Sequence, residues 1–165
     1  MEIRKAGLAD IETIQGLAHA IWPQAYGNIL SEQQLNYMLG LIYSHSSLTN
    51  QIQKLQHNFI IVYDASAPVG FASFSPKSPA DPRIFRLHKI YVLPTQQGKG
   101  TGQFLLNHVI EQAKKSGAAI LELNVNRQNN AFHFYNKNGF SITREEDIDI
   151  GSGFFMNDYV MEKQL

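Results

Sequence analysis

The chain has 165 residues, 44% of them apolar, which is enough to bury one core and fits a single domain over residues 1–165. Its 14 basic and 14 acidic residues cancel, arguing against a nucleic-acid-binding or anionic-membrane surface. The absence of cysteine excludes disulfides, thiolate metal sites and a cysteine nucleophile.

Met1-Glu2-Ile3-Arg4-Lys5 opens the chain without an apolar run, and no stretch approaches the length of a membrane span, so a cytoplasmic protein is expected. Residues 1–5 read as a short strand. Asp10 and Glu12 suit a helix N-terminus, and Ile11, Ile14, Leu17, Ala18 and Ile21 follow at helical spacing until Pro23, which is expected to end the helix. Ser31 and Gln34 form a capping-box signature before Leu35, Met38, Leu39 and Ile42. A third short helix carries Leu48, Ile52 and Leu55.

The periodicity then changes. Phe59 to Tyr63 and Val69 to Ser75 read as strands of a hairpin, with Asp64 to Pro68 as its turn. Pro76, Pro79 and Pro82 predict an irregular loop. Ile84 to Val92 is a further strand, stopped at Pro94. A glycine-rich turn leads into a helix with Phe104, Leu105, Val109, Ile110 and Ala113 on one face, and Gly117 follows Lys114 and Lys115 at its end. Ile120 to Val125 is a strand and Ala131 to Asn138 a short helix closed by Gly139. Phe140 to Ile150 and Phe154 to Lys163 read as two last strands around Gly151-Ser152-Gly153. The order β, helices, β-β-β, α, β, α, β-β is mixed α/β.

The segment from Ile90 to Leu105 is strand, glycine turn, then amphipathic helix. A helix N-terminus leaves unpaired backbone N–H groups that suit phosphate oxygens, and glycine lets a ligand approach the backbone. Spacing chooses among phosphate motifs. Lys99 is followed by Gly100, not Ser or Thr, so the turn is no Walker A loop. Gly98, Gly100 and Gly102 give G-x-G-x-G rather than the dinucleotide fingerprint G-x-G-x-x-G.

Gln97, Gly100 and Gly102 satisfy Q/R-x-x-G-x-G/A. With the preceding strand and proline, this resembles the acetyl-CoA pyrophosphate loop of the GNAT N-acetyltransferase family. A second segment is similar to another signature of that family: Val125, Asn129, Ala131, Tyr135, Gly139 and Phe140 all fall in place, with Asn138 where a leucine is common. The resemblance covers roughly residues 58–163 and implies the GNAT fold. That fold has about seven mostly antiparallel strands with helices on both faces, and its fourth and fifth strands splay around acetyl-CoA. Ile90, Tyr91 and Val92 would pair with the pantetheine like an added strand. Gln97, Gly98, Lys99, Gly100, Thr101 and Gly102 would hold the pyrophosphate, and Asn129 the pantetheine arm.

The implied activity is acetyl transfer to an amine by direct attack within a ternary complex. The amine must lose its proton, the oxyanion needs an N–H donor, and the leaving thiolate needs a proton. Tyr135 matches the family's general acid. His88 and Glu122, on the two splayed strands, are candidate bases, each equally readable as a surface residue; ordered water is a further route for the proton. Trp22 and Tyr26 lie where the family places acceptor contacts. The ending from Asp149 to Lys163 looks like the bacterial polyamine (spermidine/spermine, PaiA-like) branch. Glu145, Asp147 and Asp149 share one strand face suited to a polycation, or simply solvated. Small amines, aminoglycosides and protein amino groups stay open as acceptors, as does a homodimer. A non-catalytic acetyl-CoA-binding protein on the same fold is the alternative. The six histidines, His19, His45, His57, His88, His108 and His133, lack metal-ligand spacing, so no metal is expected.

Overall fold

Segments such as the β-branched and aromatic run Phe59–Tyr63 build seven strands, and 3.6-residue periodicity builds five helices, in a computed structural model that describes residues 1–165. The strands are β1 (Glu2–Ala6), β2 (Asn58–Asp64), β3 (Ala67–Ser78), β4 (Asp81–Val92), β5 (Ile120–Asn126), β6 (Ser141–Gly151) and β7 (Phe154–Gln164). The helices are α1 (Ile11–Tyr26), α2 (Glu32–Tyr43), α3 (His45–Gln53), α4 (Thr101–Lys115) and α5 (Ala131–Lys137). The strand order is β1-β2-β3-β4-β5-β7-β6. The pairs β1–β2, β2–β3, β5–β7 and β6–β7 are antiparallel, while β4 and β5 are parallel, so the sheet is mixed as expected. The parallel register runs from Ile84 opposite Ile120 to Leu87 opposite Leu123. β5 keeps its partner β7 along its whole length, to Asn126 opposite Asp158.

The chain forms two compact units, Met1–Ser75 with His88–Val109, and Pro76–Leu87 with Ile110–Leu165. The first holds α1, α2 and α3 with β1 and β2. Its core includes Ile11, Ile14, Ala18, Leu48, Phe59, Ile61, Phe71, Leu105 and Leu106, all essentially removed from water. The second holds β5, β6, β7 and α5 around Leu121, Leu123, Phe140, Val160 and Met161.

Ser31 caps α2 as its signature predicts, its hydroxyl accepting the Gln34 N–H at 3.1 Å. Local rules fail at the prolines. α1 runs through Pro23 to Tyr26. Proline there costs a hydrogen bond near the helix end, but Trp22 and Tyr26 flank it, both buried, with ring centroids 4.6 Å apart. Packing of those two rings carries the last turn past the break. Likewise the stretch from Pro76 to Pro82 is not an irregular loop. β3 continues to Ser78 and β4 begins at Asp81, leaving a two-residue link. Proline's fixed φ is compatible with extended backbone, so Pro76 and Pro82 each cost a ladder donor rather than the strand.

Two apolar residues lie off the faces expected for them. Phe104 is 39% exposed, because the buried stripe of α4 is Leu105, Leu106, Val109 and Ala113. Leu55, beyond the end of α3, is exposed as well. The α4 C-terminus follows the sequence reading, with Lys114 and Lys115 in the last turn and Gly117 at φ +87°.

Candidate active site

The glycine turn between β4 and α4 has the conformation its sequence demands. Gly98 and Gly100 have φ of +77° and +78°, the left-handed region that side chains disfavour. A Cβ at either position would meet no atom within 4 Å, so the space above this backbone is open. Gly102 lies inside α4, which starts at Thr101 and is fifteen residues long, giving its first turn the orphan N–H groups and positive end of a full helix dipole. Gln97, Gly98, Lys99 and Gly100 are exposed, while Thr101 is buried. The Thr101 hydroxyl donates to Gln96 Oε1 at 2.8 Å, and the Gln96 amide reaches Asp64 at 3.4 Å. That internal tie holds the turn to the end of β2. Gln96 carries no motif signature of its own, unlike its neighbour Gln97.

Upstream of the turn, Ile90, Tyr91 and Val92 close β4 at intermediate exposure. β3 approaches them closely, for a Cβ on Gly70 would lie 2.7 Å from the Tyr91 carbonyl oxygen and 2.9 Å from Val92. The backbone N–H of Leu93 donates to Val69 O at 2.8 Å. Tyr91 also meets the two residues expected to face an acceptor. Its hydroxyl is 2.9 Å from that of Tyr26, and its ring centroid is 5.8 Å from Trp22. Trp22 and Tyr26 are thus brought together with the half-buried Tyr91 in one aromatic cluster that also includes the buried Tyr43 and Phe71.

His88 is not a simple solvent-facing strand histidine. Its Nε2 lies 2.7 Å from Ser75 Oγ, and its ring stacks on His57 with centroids 3.7 Å apart and planes within 9°. Burial, with the nearby Lys89 cation as a second cause, pulls the His57 pKa down to about 4. Lys89 donates to Gln51 Oε1 at 2.7 Å beside the rings of Phe59 and Tyr43, and desolvation lowers its pKa to about 8. Gln51 in turn donates to Ile42 O and Ser47 Oγ, tying β4 to α2 and α3. None of His57, Ser75, Gln51 or Lys89 announces itself by spacing, because the chain brings them together from separate elements.

The second unit holds Glu122, Asn129 and Tyr135. Glu122 is fully buried, which removes the surface-carboxylate reading of it. Its two oxygens accept from Arg86 at 2.6 Å and Lys77 at 2.8 Å. Arg86 also donates to Asn124, and Asn124 donates to Asp158 at 3.2 Å. The other Asp158 oxygen is buried without a partner, and burial raises the pKa of that carboxyl. Asn129 Oδ1 accepts from the Ala131 backbone N–H at 2.9 Å, a turn that launches α5. Tyr135 is the buried residue of α5, edge-on to Phe134 and Phe140. Glu145, Asp147 and Asp149 are exposed on β6, but Arg127 bridges Asp147 at 2.5 Å and Glu145 at 3.8 Å, offsetting part of that acidity.

Residues 28–162 match the model of the acetyltransferase (GNAT) domain family. A spermidine N(1)-acetyltransferase of Thermoplasma acidophilum is 34% identical to the chain, covering 99% of it and 97% of the relative. An L-methionine sulfoximine/L-methionine sulfone acetyltransferase of Salmonella typhimurium is 27% identical over 68% of each chain. Among solved structures, the crystal structure of the PaiA N-acetyltransferase from Thermoplasma acidophilum in complex with coenzyme A superposes with a TM-score of 0.83. It is 31% identical and covers 99% of this chain and 98% of its own.

Proposed function

Because the chain belongs to the GNAT acetyltransferase family, we propose that it moves an acetyl group from acetyl-CoA to an amine acceptor by direct attack in a ternary complex. The observation that carries this is the open left-handed turn at Gly98 and Gly100, set at the start of a fifteen-residue helix. That backbone suits a pyrophosphate, and the tie from Thr101 through Gln96 holds it in place without using exposed side chains. Gln97, Gly98, Lys99, Gly100, Thr101 and Gly102 would hold the pyrophosphate, Thr101 through its backbone since its hydroxyl is engaged. Ile90, Tyr91 and Val92 would offer strand backbone to the pantetheine, and Asn129 its amide.

Acetyl-CoA supplies the activated acetyl group. The chain's residues manage two tasks. The first is to take a proton from the acceptor ammonium so that its freed lone pair can attack the thioester carbonyl carbon. The second is to protonate the departing sulfur as the C–S bond breaks, the nitrogen's remaining extra proton passing to solvent. Tyr135 fits the second task, since a phenol of pKa about 10 can protonate a thiolate whose conjugate acid lies near about 8.5. Of the two candidate bases, His88 suits the first task better. Its nitrogen partner is a neutral hydroxyl, whereas Glu122 is held between two cations in a buried network whose loss would leave charge unpaired. Trp22 and Tyr26 would shape the acceptor side.

A polyamine is the acceptor class best supported, by the full-length relative that acetylates spermidine and by the exposed carboxylates Glu145, Asp147 and Asp149. The test is free thiol released from acetyl-CoA across a panel of spermidine, spermine, a monoamine and a peptide N-terminus. Release with spermidine at least about tenfold more efficient than with the monoamine is expected, roughly the effect of one extra charged contact. Equal rates across the panel would reject the polyamine assignment. No release with any amine would leave a non-catalytic acetyl-CoA-binding protein.

A further inference from the structure

We propose that His57 is a positioning residue for His88, holding the base's ring by face-to-face stacking so that its edge stays aligned with Ser75. The inference rests on His88 acting as the base. Two contacts hold the His88 ring. The two imidazoles are 3.7 Å apart and nearly parallel, while Ser75 engages the edge of His88 at 2.7 Å. His88 is therefore held on a face and on an edge, which leaves its ring little freedom to rotate about its side-chain bonds.

The His57 ring is itself fixed by the chain. The His57 backbone N–H donates to Gln51 O at 2.8 Å, closing the end of α3. The residue before it, Gln56, has φ of +54°, a left-handed conformation that side chains disfavour and that persists only where surroundings impose it. This backward turn precedes Asn58, whose register partner is Phe74. One residue beyond this pair come His57, just ahead of β2, and Ser75 on β3, the two groups that hold His88.

The same stack sets which ring can carry a proton. Two imidazolium rings face to face at this distance repel strongly. His57 is also disfavoured as a cation by burial and by Lys89. His57 thus presents a neutral π-face, and His88 is left to take the acceptor's proton. Its imidazolium then lies against that face, an arrangement favourable for a cation. Ser75 from β3 and Lys89 from β4 are polar and charged neighbours that bear on the pair, together with further contacts of Ser75 and His88 themselves.

The test compares His57→Ala, His57→Phe, His88→Gln and the double variant His57→Ala/His88→Gln under steady-state kinetics, each checked for parent-like melting. His88→Gln is expected to lower kcat by about a hundredfold. His57→Ala should lower kcat about tenfold through misorientation while leaving the acetyl-CoA KM unchanged. His57→Phe, which keeps a flat ring, should recover kcat to within about twofold of the parent. The double variant should be no slower than His88→Gln alone. An impaired His88→Gln with a parent-like His57→Ala would overturn the inference and leave the base intact. So would equal losses in the Ala and Phe variants, or additive losses in the double variant. A parent-like His88→Gln would remove the base and the inference together.

Discussion

Tyr135 and His57 show how differently a single side chain can matter. Tyr135 is packed edge-on between Phe134 and Phe140, so Tyr135→Phe keeps the ring and its contacts and deletes the hydroxyl alone. If that hydroxyl protonates the leaving thiolate, single-turnover rates should fall about a hundredfold with acetyl-CoA affinity unchanged. An unchanged chemical step, or a loss explained by weaker acetyl-CoA binding, would end the general-acid role. His57 acts on stability as well as on His88. Its pKa falls from 6.5 to about 4 on folding, so between those values the unfolded chain binds more protons. Stability therefore drops as pH falls from 6.5 towards 4, by about 1–2 kcal/mol once the solvent that still reaches the half-buried ring is allowed for. His57→Phe should flatten that part of the melting-temperature profile, and an unchanged slope would contradict it. Neither the stack nor the buried Glu122 network was legible in the sequence. Both join residues tens of positions apart, and spacing rules register only neighbours on one element. The turn at Gly98 and Gly100 was legible because a left-handed backbone asks for glycine locally, whereas Tyr135 stands out only by the resemblance of its segment to a family signature.

At the level of elements, local chemistry located nearly every strand and helix, and tertiary packing moved some of their ends. Ser31 capped α2 because the interaction is contained within four residues. Pro23 failed to stop α1 because burial of Trp22 and Tyr26 outweighs one lost hydrogen bond. The hairpin from β2 to β3 is a further case. Its turn residues Ala65 and Ser66 have φ of +49° and +69°, a conformation that favours Asn and Gly. The turn is forced by the strands it joins, so it stores strain that a better sequence would release. Replacing Ala65→Asn and Ser66→Gly together should raise stability by about 1 kcal/mol, a melting shift of about 2–4 °C. A lower melting temperature would mean that the present side chains contribute contacts worth more than the strain.

For the molecule as a whole, the central claim is that this fold presents an acetyl-CoA site at the glycine turn. The measurement that tests it most directly is thermal unfolding with and without acetyl-CoA, on the parent and on Gly100→Val. A ligand at a hundred times its dissociation constant stabilises the folded state by about 2.7 kcal/mol, or roughly 5–10 °C for a chain of this size. The parent should show that shift with acetyl-CoA and far less with ATP or NADH. Gly100→Val should fold at a somewhat lower temperature, since valine at φ +78° is strained although no neighbour blocks it, and should lose most of the shift. A parent that melts at the same temperature in millimolar acetyl-CoA, or a folded Gly100→Val that keeps the full shift, would contradict the assignment of this turn.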